Sequence, residues 1–186
     1  MDKKDRVLKA ALKLFVEFGF HDTPTSKIAK EAEVATGTLF YFFATKDELV
    51  KTLYIEIKGC LTNHITEAIK TETTLHGILK GYYVATLQWA LEHKTEFRFI
   101  EQFNTSPYLN QIASEEIEKH IKPVMDILRN GITAKIIKPL DAEIIFTLIG
   151  AHTYAINQYL VTKKLPKTKQ HKIINETFDL LWEMIT

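Results

Sequence analysis

Apolar residues recur along this chain at three- and four-residue intervals, the period of helices with one buried face. Val7, Leu8, Ala11, Leu12, Phe15 and Phe18 form the first such face and predict a helix from Asp2 to about Phe18, stopped by Gly19. After His21-Asp22-Thr23-Pro24, a short helix is predicted from Thr25 to Ala32, with Thr25 or Ser26 as its capping hydroxyl and Ile28, Ala29 and Ala32 turned inward. A second short helix runs from about Thr36 to Phe43. Thr45-Lys46-Asp47-Glu48 then reads as a capping box, opening a long helix whose Leu49, Leu53, Ile57, Leu61 and Ile65 carry it to about Lys70.

Helical patterns continue over Leu75 to about His93, Thr95 to Phe103, Tyr108 to about Gly131, Asp141 to Thr162 and Thr168 to Ile185. Ser106-Pro107 reads as a cap and first helical residue, Pro123 as a kink, and Pro139 and Pro166 as breaks before the last two helices. No segment alternates as a strand does, so the fold class is all-α, with about nine helices.

The stretch Thr25 to Phe43 carries a more particular pattern. Ile28, Ala32, Val34, Leu39 and Phe42 are apolar, and the small Ala29 sits where two short helices would touch. That combination is what a helix-turn-helix requires: a steep crossing over a shared apolar wedge. The expected organisation is a three-helix domain carrying this motif over residues 1–47 and a larger helical domain over 48–186.

Three further strings follow in order: Gly37-Thr38-Leu39, Phe40-Tyr41-Phe42-Phe43 and Lys46-Asp47-Glu48-Leu49. Together with the leading amphipathic helix they make the first fifty residues resemble the TetR family of repressors. The resemblance implies a recognition helix from Thr36 to Phe43 whose N-terminal end enters the major groove. Thr36, Gly37 and Phe40 then face base edges, Phe40 through apolar contact with a thymine methyl. Thr25, Ser26, Thr38, Tyr41 and Lys46 become the phosphate contacts, those at helix N-termini aided by the helix dipole. Two residues depart from the family pattern. Glu33 stands where the family usually has a turn glycine, a position that tends to need positive φ, and is expected either to carry strain of roughly 1 kcal/mol or to distort the turn. Phe40 replaces a more usual tyrosine.

The resemblance also implies a dimer, since one short reader spans too few base pairs. Its expected interface is the last two helices, through Ile145, Ile149, His152, Ile156, Phe178, Leu181 and Trp182, because Ile144, Leu148, Tyr159 and Leu160 add more apolar width than one core face needs. A small-molecule effector is implied as well, with Leu61, Tyr82, Trp89, Phe103 and Tyr108 as expected pocket residues among the many aromatics. Its binding would shift helix four and spoil the spacing of the two recognition helices.

Composition narrows the remaining classes. Lys and Arg total 24 against 23 Asp and Glu, a net charge of +1, so DNA binding must rest on where charges sit and not on their sum. The single cysteine, Cys60, offers neither an internal disulfide nor a thiolate pair for a metal. No nucleotide-binding loop, zinc helix or nucleophile elbow is present, and His120 near Glu115 and Glu116 reads as a solvated face. Neither catalytic residues, metal nor cofactor are therefore expected, and no uninterrupted apolar run is long enough for a membrane span. The expected setting is cytoplasmic, the expected partners operator DNA, a second copy and an effector. The competing reading is a helical adaptor that uses the N-terminal motif to bind protein.

Overall fold

The computed structural model describes residues 2–109 and 114–186, the side chains of 114–118 and 120 excepted. Among the described residues the chain is helical with no strand: α1 (Lys3–Phe18), α2 (Thr25–Glu31), α3 (Thr36–Phe42), α4 (Lys46–Ile69), α5 (Leu75–Glu92), α6 (Lys94–Asn104), α7 (Ser114–Thr133), α8 (Ala142–Lys163) and α9 (Lys167–Ile185). Glu115, Glu116 and His120 fall outside the described side chains.

Most helix ends follow from local chemistry. Asp2 caps α1 by accepting the Asp5 N–H at 2.8 Å, and Gly19 ends it at φ 80°, its N–H bonded to Phe15 O. At α2 the expected hydroxyl cap is replaced. Pro24 is the N-cap, extended at φ −70° and ψ 147°, and no side chain caps the helix. Thr25 is its first helical residue, while the buried Thr23 hydroxyl turns back to donate to Gly19 O at 2.8 Å. The capping box of α4 forms with one change: Thr45 Oγ1 accepts the Glu48 N–H at 3.1 Å, but the Glu48 carboxylate accepts from Ala44 N at 2.8 Å, one residue further back than the Thr45 N–H. Ser106 and Pro107 lie in a turn. Ser106 Oγ donates to Phe103 O at 2.7 Å and accepts from Tyr108 N, continuing α6 as a turn. Pro123 lies inside α7 and does not end it.

Two compact units divide the chain, residues 1–59 with 93–116 and residues 60–92 with 117–186. They cut across the boundary expected after residue 47, because α6 groups with the N-terminal helices.

In the first unit α1 packs against α2, α3 and α6. Ile28, Ala29 and Leu39 are buried as the helix-turn-helix pattern requires, whereas Phe42 and Val34 are half-buried, and of the run Phe40 to Phe43 it is Phe43 that is fully enclosed. Phe15, Phe20, Phe99, Phe103 and Tyr108 pack at ring separations of 5.2–6.4 Å, and Tyr54 stacks on Phe103 at 3.9 Å. Gln102 Nε2 donates to Val16 O at 3.3 Å, adding a polar tie between α6 and α1.

In the second unit α5 packs against α8 and α9, which also pack on each other. Leu79, Leu87, Leu128, Ile145, Ile149 and Phe178 are core residues there. Tyr83 crosses that core and ties three helices, its hydroxyl 3.0 Å from His152 Nδ1 and 3.1 Å from Thr177 Oγ1. Burial pushes the Tyr83 hydroxyl up to about 12, with the Thr177 bond opposing the shift. By length and composition α8 is apolar enough to cross a membrane. In this fold the same property gives it one face in the core and another outside.

Candidate functional site

The seven residues of α3 divide by face. Leu39 is fully buried and fixes the helix to the unit, while Thr36, Gly37, Phe40 and Tyr41 are exposed, Tyr41 at 83%. Their spacing of one, four and five residues from Thr36 puts them on one outward stripe. A side chain added at Gly37 would meet nothing within 4 Å, so the backbone itself is open to approach there. Thr38 is half-buried, as is Thr25, and Ser26 is exposed.

The connection into α3 is built around Glu33, which takes φ 52°, the left-handed backbone expected where glycine is usual. Its carboxylate is 86% exposed and lies 3.6 Å from Arg6 Nη1 of α1. Sequence reading had no means of finding this pair, since the residues are far apart in the chain. Lys27 was also passed over: its ammonium sits 3.1 Å above the Phe18 ring, two residues beyond Thr25.

At the other end of α3 the chain needs only Phe43, Ala44 and Thr45 to reach α4. Lys46, the first residue of α4, donates from Nζ to His21 O at 3.4 Å. Burial holds its pKa below the ordinary lysine value, with Asp47 and Asp22 working the other way. Asp47 also engages Tyr108, whose hydroxyl is raised first by burial and then by the charge and hydrogen bond of Asp47. The first turn of α4 is thus held by the loop after α1 and by the segment after α6.

The expected pocket residues divide between the two units. Leu61, Tyr82 and Trp89 belong to the second unit, where Leu61 and Trp89 are buried and Tyr82 is half-buried. Phe103 and Tyr108 belong to the aromatic cluster of the first. Of the expected interface residues, Ile145, Ile149, Phe178 and Leu181 turn into the core of their own unit, and His152, Ile156 and Trp182 are half-buried beside it. The apolar residues left outside are their neighbours. Ile144, Leu148, Ala151, Ala155 and Tyr159 form an exposed stripe along α8, and Leu180 and Met184 extend exposed from α9. The apolar width read from the sequence is real, but the core takes one side of it and leaves the other bare.

Comparison with known proteins agrees with this geometry. Residues 7–53 match the family described as bacterial regulatory proteins, tetR family, and residues 56–186 match the tetracyclin repressor-like C-terminal domain. The HTH-type transcriptional regulator YhgD of Bacillus subtilis is 26% identical over 77% of this chain and 76% of its own length. A TetR family transcription regulator from Shewanella sp. PV-4 superposes with a TM-score of 0.91 at 26% identity, covering 100% of this chain and 98% of that one. The regulator FadR of Bacillus subtilis, solved with stearoyl-CoA, superposes with a TM-score of 0.77 at 24% identity over 98% of this chain and 99% of its own. With both halves matched and an exposed, anchored recognition helix in the first, the chain belongs to the TetR family of transcriptional regulators.

Proposed function

We propose that this regulator is a cytoplasmic repressor that binds a palindromic operator as a homodimer and releases it when a small, largely apolar or aromatic molecule binds. The outward stripe of α3 carries the reading, because Thr36, Gly37, Phe40 and Tyr41 stand clear of the fold on a helix fixed by Leu39. In this reading Thr36, Gly37 and Phe40 meet base edges, while Thr25, Ser26, Thr38, Tyr41 and Lys46 hold phosphates.

The exposed stripe of α8 with Leu180 and Met184 supports the dimer. A matching stripe on a second copy buries both by two-fold pairing, and two readers then meet half-sites roughly 34–36 Å apart. The stearoyl-CoA held by FadR supports an effector with a long apolar portion. Effector and operator oppose each other by linkage, within about 1–3 kcal/mol of coupling.

Selection from random short duplexes at two salt concentrations tests the DNA reading. The expected result is enrichment of a palindrome whose affinity falls steeply with salt. Lys46→Met is expected to lower the slope of that dependence by about one unit, as loss of a single phosphate contact does. Failure to enrich any sequence, with no salt dependence, would instead favour an adaptor that binds protein.

A further inference from the structure

One line of α8 departs from ordinary core packing. Phe146, Gly150 and Asn157 follow at intervals of four and seven residues, which stacks them on the same side of the helix. Phe146, with Ile121 and Met125 of α7, lines a cleft of about 540 Å³ in the second unit, together with Lys122, Arg129, Glu143 and Thr147. A turn further on, a side chain built at Gly150 would meet nothing within 4 Å. At the far end Asn157 is only 6% exposed, and its Oδ1 has no hydrogen-bond partner among the described residues.

Packing alone gives no reason for that amide. A buried acceptor without a donor costs about 1–3 kcal/mol, and an apolar side chain of similar volume would avoid the penalty. Polar residues also stand on the neighbouring turn of α8 and on α5. Tyr154 is three residues before Asn157, near enough to Tyr82 of α5 to add to the effect of burial, which pushes the Tyr82 hydroxyl up to about 12. Thr153 and Thr86 are buried too, but each hydroxyl already donates to a carbonyl of its own helix, at 2.7 Å in both cases. The Asn157 oxygen is the acceptor in this neighbourhood that still lacks a donor.

We infer that the side of α8 from Phe146 to Asn157 is one wall of a ligand channel, entered through the mixed polar and apolar cleft and ended by a hydrogen-bond acceptor, which takes an elongated, largely apolar molecule bearing a hydroxyl or N–H donor at its leading end. Eleven residues of helix separate the two ends, a rise of roughly 16 Å, which sets the length of molecule that reaches Asn157. The inference rests on the effector reading above and narrows it. An apolar chain that ends in a methyl group leaves Asn157 unpaired, whereas a terminal alcohol satisfies it.

Dodecanol and undecyl methyl ether are matched in heavy atoms and differ in that only the alcohol donates. Their binding to the full chain, followed by tryptophan fluorescence, tests the channel. The wild type is expected to bind dodecanol about ten-fold more tightly than the ether. Asn157→Leu is expected to bind the two alike and to melt at a higher temperature, since the orphan acceptor is gone. Gly150→Leu, a change toward better helix propensity, is expected to block both probes and keep operator binding. Equal affinities in the wild type, no binding of either probe, a preference that survives Asn157→Leu, or unaltered binding by Gly150→Leu would each overturn the channel. Operator binding is measured separately without probe. An intact operator complex with no probe binding sinks the channel alone, and probe discrimination by a chain that enriches no DNA sinks the regulator reading alone.

Discussion

Helices α3 and α8 solve opposite problems. The shorter has one fully buried residue, Leu39, with Thr38 and Phe42 half-buried, and gives its other four positions to an outward stripe. The longer has apolar residues almost all round, and the fold sorts them into a core side, the line through Phe146 and Asn157, and an exposed stripe. A helix with one anchor must declare its function through the few residues that point away. A helix with apolar residues on several sides hides its functions among its packing.

The largest effect that tests this contrast is expected at the single anchor of α3. Leu39→Ala should lower stability by about 3 kcal/mol in urea denaturation and weaken operator binding with it; a loss under about 1 kcal/mol would mean that the stripe is held by something else. The next comes from α8. Leu148→Glu should leave the fold of each chain intact but weaken self-association by about 2 kcal/mol, read by sedimentation velocity, because a carboxylate without a partner would be buried between copies. Ile149→Glu, one position along and in the core, should unfold the chain instead. If both variants remain folded dimers, the proposed division of the helix into core and partner faces fails.

A smaller change is expected at the entrance to α3. Glu33→Gly removes a side chain from φ 52°, a gain of about 1 kcal/mol, offset by a few tenths for the exposed pair with Arg6. A higher melting temperature would agree, and a lower one would show that the Arg6 pair outweighs the backbone strain. The smallest is a pH effect inside the second unit. Burial keeps the His152 imidazole below its ordinary 6.5, so as pH falls the unfolded chain takes up the proton first. Stability present above pH 6.5 is therefore lost as pH drops through that lowered value, and the melting temperature of His152→Gln should fall less over the same range.

The different legibility of the two regions has the same origin. Small and apolar residues at fixed places, with Gly37 and the capping box, were enough to locate α2, α3 and the start of α4, because short helices tolerate few alternatives. Where competition was local the reading missed: Pro24 took the cap expected of Thr25 or Ser26, and Ser106 closed a turn where a helix start was expected. On α8, Ile144 and Ile145 are equally apolar, and only the packing of α5 and α9 decides which of them is covered. Leu180 and Met184 went unnoticed for the same reason, and Asn157 because an orphaned oxygen exists only once its neighbours are known. Long-range pairs such as Arg6 with Glu33 have no signature in local spacing at all.

The three-residue join between α3 and α4 sets a time scale as well as a path. Ala44 donates its N–H to Glu48, and Glu48 donates its own to Thr45, so the join has hydrogen bonds where a longer loop would have slack. A flexible tether would absorb small displacements of α4 and relax in nanoseconds to microseconds. Under the proposed effector mechanism, a bonded corner would pass each displacement of α4 to α3, and the rate of switching would be that of the helix shift itself, in the range of roughly microseconds to milliseconds typical of collective motions.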